Sequence, residues 1–172
     1  MMNRTAAVAF FVVSVSGPCL AERWKAHDEF ISFETPEGGQ FAIEKSKLKF
    51  RLASWRSNDG ETQITIDALP QPASFKPDLD RMVYLLGRGG RKAEKLPTRK
   101  IGGHELWVVK TSSSKLIEYR VSVFHHDWVH RMKISGPSTA ETEKFAKRLL
   151  ESIEIKEGEW EPLADKPEKV RD

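Results

Sequence analysis

The stretch that decides the fold is Gly103–Ser135, which holds three successive runs: HELWVVKTSS at 104–113, KLIEYRVSVF at 115–124 and WVHRMKIS at 128–135. Within the second run, Ile117–Val123 carries an apolar residue at every odd position and a polar residue at every even position. Alternation with a period of two is typical of strands that bury one face. The short separators between the runs therefore predict three antiparallel strands in a meander.

A helix is predicted directly after this meander. Residues 138–141 (STAE) have the spacing of a capping box, in which the first and fourth residues bond to each other's backbone N–H groups. The apolar residues that follow would lie roughly along one side and cover one face of the sheet: Ala140, Phe145, Leu149 and Ile153. Residues 153–155 would leave the helix as a short edge strand.

A hairpin and a second helix are predicted upstream of the meander. Leu48–Trp55 and Gln63–Leu69 alternate on either side of Asn58-Asp59-Gly60, which is a strong turn signal, so they should pair as antiparallel strands. Asp78 suits a helix N-cap, and an apolar face at helical spacing follows it. We expect Gly87 to end that helix in left-handed geometry.

These elements predict one domain of the α+β class over residues 28–156. Its architecture would be an antiparallel sheet of about six strands with helices packed on its faces. The chain has 172 residues, which fits one domain with appendages. Residues 157–172 carry two prolines and many charges, so this tail is predicted to be disordered.

Residues 1–21 have the pattern of a secretory signal peptide. The apolar run at 6–15 is too short for a bilayer-spanning helix of roughly 20 residues. Small residues precede the bond after Ala21, where we place cleavage. A lipoprotein signal with a lipidated Cys19 is the alternative, but Pro18 stands where such signals need a small residue. The mature chain is therefore predicted to be exported, with the periplasm as its location, and to lack a transmembrane span.

Cysteine usage and net charge exclude several classes of function. Cys19 is the only cysteine, so the mature chain would have no thiolate catalysis, thiolate metal site or disulfide. Removal of residues 1–21 deletes one basic residue and no acidic one, so the formal net charge falls from +3 to +2. A balance so close to neutrality does not indicate a nucleic-acid-binding protein.

No catalytic motif is found, and the chain is predicted not to be an enzyme. It contains no HExxH sequence, phosphate loop or dinucleotide fingerprint. Ser112–Ser114 has the composition of a turn, and Glu141 and Glu143 suit the first turn of a helix. The glycine-rich run at 87–90 follows a helix instead of opening one, which argues against an anion-binding nest. No cofactor is expected.

The basic segment at residues 88–100 is the candidate partner-binding site. It contains six cations against one carboxylate, Glu94. These cations would meet an acidic protein surface or an anionic envelope component: Arg88, Arg91, Lys92, Lys95, Arg99 and Lys100. The alternative is a solvated connecting strand that the acidic residues 151–161 balance. Nucleic acid is not an expected partner, because no aromatic residues interleave with these cations.

A group of histidines gives a second candidate site, for a metal or a small ligand. Its members are His104, His125, His126 and His130, with Asp127 beside them. Imidazole and carboxylate groups are zinc ligands. Two observations argue against a metal site. The adjacent His125 and His126 would point in opposite directions in an extended chain, and no helix is predicted that would bring His126 and His130 together. The alternative is a polar hairpin tip with one half-buried strand histidine.

The chain resembles the Mog1/PsbP-like fold family, which includes small exported bacterial proteins of the DcrB type. The resemblance spans residues 28–156 and depends on four stretches: Phe30–Phe33 with Pro36 and Gly38, Lys100–Trp107, Val121–Ile134 and Ala140–Ile153. It implies an antiparallel sheet with helices on its faces and non-catalytic work, because members bind a GTPase, stabilise a photosynthetic complex or have no assigned role. The resemblance identifies no active-site residue in this chain.

The expected function is that of an exported, non-catalytic binding or accessory protein. Its partner would be another envelope protein or an anionic envelope component, bound through the basic segment at 88–100. The alternative is a periplasmic carrier of a small ligand or metal that uses the four histidines.

Overall fold

The computed structural model describes residues 23–26, 30–45, 51–72, 74, 76–125 and 128–156. The predicted signal peptide and the predicted disordered tail lie outside these residues. The strands are β1 (Arg23–Ala26), β2 (Ile31–Glu34), β3 (Gly39–Lys45), β4 (Arg51–Ser57), β5 (Gln63–Pro70), β6 (Lys92–Lys95), β7 (Arg99–Ile101), β8 (His104–Ser112), β9 (Leu116–His125), β10 (Trp128–Pro137) and β11 (Glu154–Ile155). The helices are α1 (Leu79–Leu86) and α2 (Ala140–Glu151). In the described part of the chain, neither helix has the length and apolar character needed to cross a bilayer.

The strands of the described residues form two antiparallel sheets, which confirms the α+β class. The larger sheet has eight strands in the order β3-β4-β5-β10-β9-β8-β6, and β7 also pairs with β8. The smaller sheet has the order β1-β2-β11. The larger sheet exceeds the expected six strands because the basic segment contributes both β6 and β7 to its edge.

The meander β8-β9-β10 is the centre of the larger sheet, as the sequence predicts. Val121 in β9 lies opposite Val108 in β8 and Met132 in β10. The predicted hairpin of β4 and β5 is also confirmed, with Ala53 opposite Ile66. One side of the larger sheet, which we call the core face, carries these residues and packs against α2 and the smaller sheet.

Helix α2 covers the core face, but its cap differs from the predicted one. The N-cap is Thr139, whose hydroxyl accepts the N–H of Thr142 at 3.2 Å, so the capping box from Ser138 was wrong. Ala140 is exposed, contrary to the prediction, whereas Leu149 and Ile153 are buried as predicted. The buried residues within the helix are Thr142, Ala146, Leu149 and Leu150. The short strand predicted after α2 is confirmed as β11.

Helix α1 lies against the opposite side of the larger sheet, which we call the open face. Asp78 is its N-cap, as predicted, and its carboxylate accepts the N–H of Arg81 at 2.9 Å. The expected left-handed ending at Gly87 was wrong, because this residue has φ −78°. Gly87 instead approaches β6 closely: an added Cβ would lie 3.3 Å from the Cβ of Ala93. No residue of α1 is fully buried.

The loop between β2 and β3 brings the backbone against a buried indole. Gly38 has φ +72°, and Gly39 begins β3 opposite Ser57. A Cβ on Gly39 would collide with the ring of Trp55 and the carbonyl oxygen of Arg56. Trp55 is only 2% exposed and stacks on Phe145 of α2, with ring centroids 5.4 Å apart. Any side chain at Gly39 would therefore displace the contact between α2 and the sheet.

We predict that Gly39→Ala lowers the free energy of unfolding by about 1–3 kcal/mol, the usual cost of overpacking. Urea denaturation followed by circular dichroism measures the change. Gln40→Ala, at the neighbouring exposed position, is the matched control and should remain near wild type. A Gly39→Ala variant as stable as this control would contradict the described contact with Trp55.

The turn between β4 and β5 holds an ionised carboxylate. The Ser57 hydroxyl and the Glu61 N–H both donate to the Oδ1 atom of Asp59, the latter at 3.0 Å. These two hydrogen bonds, the Ser57 bond first, hold the pKa of Asp59 below its ordinary value of 3.8. A depressed folded-state pKa stabilises the fold above the ordinary value, and this contribution is lost as the pH falls through the folded-state value.

We predict that Asp59→Asn, which keeps an acceptor oxygen but removes the charge, is less stable than wild type at neutral pH. The difference should shrink as the pH falls below 3.8 and through the lower folded-state pKa of Asp59, because the wild-type carboxylate then takes up a proton. Urea denaturation of both proteins across this range measures it. A difference that does not change with pH would show that the charge of Asp59 does not contribute.

Candidate functional site

A groove of about 800 Å³ lies between α1 and the open face of the larger sheet. Helix α1 forms one wall, with Met82, Leu85 and Leu86 towards the groove. The floor consists of side chains from β5, β8, β9 and β10 that point away from the core face. The groove exists because α1 is short and packs on β6 and the end of β8, so it leaves the middle of the open face uncovered.

The strand register arranges the floor in three rows. In the first row, Arg120 lies opposite Lys133, which lies opposite Thr65. In the second, Ser122 lies opposite Arg131, which lies opposite Asp67. The third row contributes Phe124 to the floor; its register partners Val129 and Leu69 do not line the groove. Rows two residues apart along a strand are separated by about 7 Å, so the first and third rows are about 13 Å apart.

Cations outnumber carboxylates in the groove. Its lining, as far as the structure describes it, contains five cations, Lys76, Arg81, Arg120, Arg131 and Lys133, and two carboxylates, Asp67 and Asp78. Arg131 is neutralised by Asp67 through two hydrogen bonds of 2.7 and 3.0 Å. Arg120 donates to Glu118. Lys133 forms no ion pair with any residue that the structure describes, so the first row has a free positive charge.

The other end of the groove is apolar. The rings of Trp107 and Phe124 meet edge to face, with centroids 5.0 Å apart. The indole N–H of Trp107 donates to Glu105 at 3.0 Å, which fixes the ring. Leu85 of α1 also lines the groove and is 49% exposed. The floor of the groove thus has a cationic end and an aromatic end.

The predicted basic segment lies at the edge of the larger sheet, divided between its two sides. Lys95 contacts Asp80 of α1 at 2.7 Å, on the open-face side. Arg99 donates to the carbonyl oxygen of Leu150 at 2.8 Å, on the side of α2. Lys92 lies 3.8 Å from Glu94. The three remaining cations, Arg88, Arg91 and Lys100, are exposed. The structure therefore brings these six residues to one edge but not onto one face.

The predicted histidine group is gathered around a phenylalanine. The ring centroid of Phe30 lies 5.2 Å from His104, 5.1 Å from His125 and 4.5 Å from His130. His104 and His125 are themselves 4.8 Å apart. His125 and His130 are buried, whereas His126 lies outside the described residues. Across the described ranges, no three potential ligand residues are grouped as a metal site would require.

Ser113 and Glu143 are of residue types that often act in catalysis, but both form structural hydrogen bonds here. The hydroxyl of Ser113 accepts the N–H of Leu116 at 3.1 Å and closes the turn between β8 and β9. Glu143 accepts a hydrogen bond from Lys110 at 2.9 Å, which raises the pKa of Lys110 above its ordinary value. Both observations agree with the turn and helix roles that the sequence suggests.

Sequence reasoning did not find the groove. The alternation of residues 117–123 places Arg120 on the polar side of its strand, as the structure confirms, but such positions are usually solvated. The available signal was their coincidence with two aromatic residues, Trp107 and Phe124, on the same side. Only the docking of α1 turns that side into a groove.

No protein-family model matches this chain, and no curated protein matches it in sequence. Solved structures do match. The solution structure of cyanobacterial PsbP (CyanoP) from Synechocystis sp. PCC 6803 is 11% identical and has a TM-score of 0.59, with 84% of this chain and 98% of that chain covered.

A second match is a crystal structure from Bacteroides thetaiotaomicron VPI-5482. It is 13% identical with a TM-score of 0.47, and the match covers 80% of this chain and about half of that one, 49%. The match to CyanoP extends over nearly all of that protein, although the sequence identity is low. The chain therefore has the PsbP/Mog1-like fold that its sequence resembles.

Proposed function

We propose that this chain is an exported, non-catalytic binding module that holds an anionic component of the cell envelope in the groove between α1 and the open face. The observation that carries the proposal is the excess of cations in the described groove lining, five against two carboxylates. Export to the periplasm is supported by the signal-peptide pattern of residues 1–21.

The cations are placed where they would attract an anion. Lys133 is half-buried at the floor, and Arg120 lies directly opposite it on β9. Partly buried cations interact with an anion more strongly than exposed ones, because less water screens the charges. An anion in the first row would receive a charge-assisted hydrogen bond from Lys133, whose charge no described carboxylate neutralises.

The chemistry of the lining supports binding over catalysis. A hydrolytic site needs a nucleophile beside a general base. The hydroxyl of Ser122 lies at the floor, but the described lining contains no histidine that could act as its base. The two carboxylates already bond elsewhere: Asp67 to Arg131, and Asp78 to the first turn of α1.

The basic segment at 88–100 is a second candidate surface for the same kind of partner. Arg88, Arg91 and Lys100 are exposed, and none of them forms an ion pair with a described residue. Lys92 and Lys95 lie near carboxylates of this chain, which reduces the charge they offer. This surface would suit an acidic protein, and it can be tested separately from the groove.

We predict that native mass spectrometry of the protein, purified from its own envelope without chelators, shows a bound component as an added mass. The Lys133→Glu variant should lose this mass because a carboxylate in the first row repels an anion. The replacement should leave the fold intact, because the side chain at position 133 is only half-buried and faces the groove. The melting temperature checks this.

Two further variants make the result specific. Lys147→Glu changes the same charge on the exposed side of α2, where 77% of the lysine side chain is accessible, and should retain the added mass. The triple charge reversal of Arg91, Lys92 and Lys95 should retain it as well. Loss in the triple variant with retention in Lys133→Glu would move the site to the sheet edge. A wild-type protein without added mass would contradict a tightly held component.

A further inference from the structure

We propose that the ligand of the groove is a small amphiphile with one acidic head group and one apolar tail. This inference rests on the proposed function, because it concerns the same groove. It adds the chemical class of the ligand, which follows from how charge and apolar surface are distributed along the floor.

The polarity of the floor changes in one direction along the strands. The first row offers Lys133, which pairs with no described carboxylate and suits one anionic head, beside Arg120, which already bonds to Glu118. In the second row, the bidentate pair of Arg131 and Asp67 is already neutral. In the third row, the residue that lines the groove is the aromatic Phe124. Positive charge thus lies at one end, and the described floor has none at the other end, about 13 Å away.

Apolar side chains line both the sheet side and the helix side of the groove. Trp107 and Phe124 belong to the sheet side, and Met82, Leu85 and Leu86 belong to the helix side. A tail in the groove would bury part of this apolar surface, including the exposed Leu85. A purely polar anion would leave these apolar side chains in contact with water.

The dimensions favour a small molecule. A volume of about 800 Å³ lies within the usual range of small-molecule sites, which is about 300–1,000 Å³. The floor offers a position for one anion, whereas an acidic peptide would present several.

Isothermal titration calorimetry of the purified protein tests this with decanoate as the probe, kept below its micelle concentration. We expect saturable binding of decanoate, and binding about tenfold weaker for decan-1-ol, which lacks the charge, and for hexanoate, which has a shorter tail. Inorganic phosphate should show no measurable binding. Monodecyl phosphate distinguishes the acidic group: if it binds more tightly than decanoate, the head is a phosphate, and both results support the proposal.

Variants at the two ends of the groove distinguish the contribution of the head group to binding from that of the tail. Lys133→Glu should weaken decanoate binding about tenfold, whereas Lys147→Glu should leave it unchanged. Leu85→Ser should reduce the preference for decanoate over hexanoate without removing the requirement for the charge. Because Leu85 is 49% exposed, this variant should fold normally. Phe124→Ala should act in the same direction from the sheet side.

Several outcomes would overturn the inference. If neither decanoate nor monodecyl phosphate binds, while the envelope-purified protein carries a polar anion that Lys133→Glu removes, the proposed function stands and the amphiphile is wrong. If decanoate binds equally to wild type and Lys133→Glu, its site is not this groove. Binding to vesicles of anionic phospholipid, or to an acidic peptide, without binding of decanoate would also replace the amphiphile with another ligand class.

Discussion

The structure depends on the pairing of β9 with β8 on one side and β10 on the other. Because side chains alternate along a strand, this pairing sends Ile117, Tyr119, Val121 and Val123 into the core and sends Arg120 to the open face. A register slip of one residue would exchange the two sets. The same hydrogen bonds that build the hydrophobic core therefore also align the rows of the groove.

The two helices cover the two faces of this sheet to different extents. Helix α2 has twelve residues, buries four of them and is joined to the sheet by the contact of Phe145 with Trp55. Helix α1 has eight residues and buries none fully. A longer or more apolar α1 would close the open face and make a second core. Its shortness leaves polar floor residues beside exposed apolar ones, and this combination is what makes the groove suitable for a ligand.

The sequence predicts the features that follow from local periodicity: the meander, the hairpin of β4 and β5, both helices and the fold class. It does not predict features that depend on contacts between distant segments. The collision between a Cβ at Gly39 and Trp55, the position of Phe30 among three histidines, and the edge pairing of the basic segment all belong to this second group. The groove is also in this group, because Leu85 on α1 and Phe124 on β9 share no local pattern. The N-cap was predicted correctly for α1 but one residue too early for α2, where Ser138 and Thr139 are equally good caps by type.

The central claim is that the open face of the larger sheet is the ligand-binding surface. The most direct measurement is a titration of isotope-labelled protein with decanoate, followed by amide chemical shifts in NMR spectra. The account predicts that the largest shift changes map to Arg120, Ser122, Phe124 and Lys133 on the floor and to Met82 and Leu85 on α1. Shift changes concentrated around Phe30 and the histidines, or at residues 88–100 along the sheet edge, would contradict it.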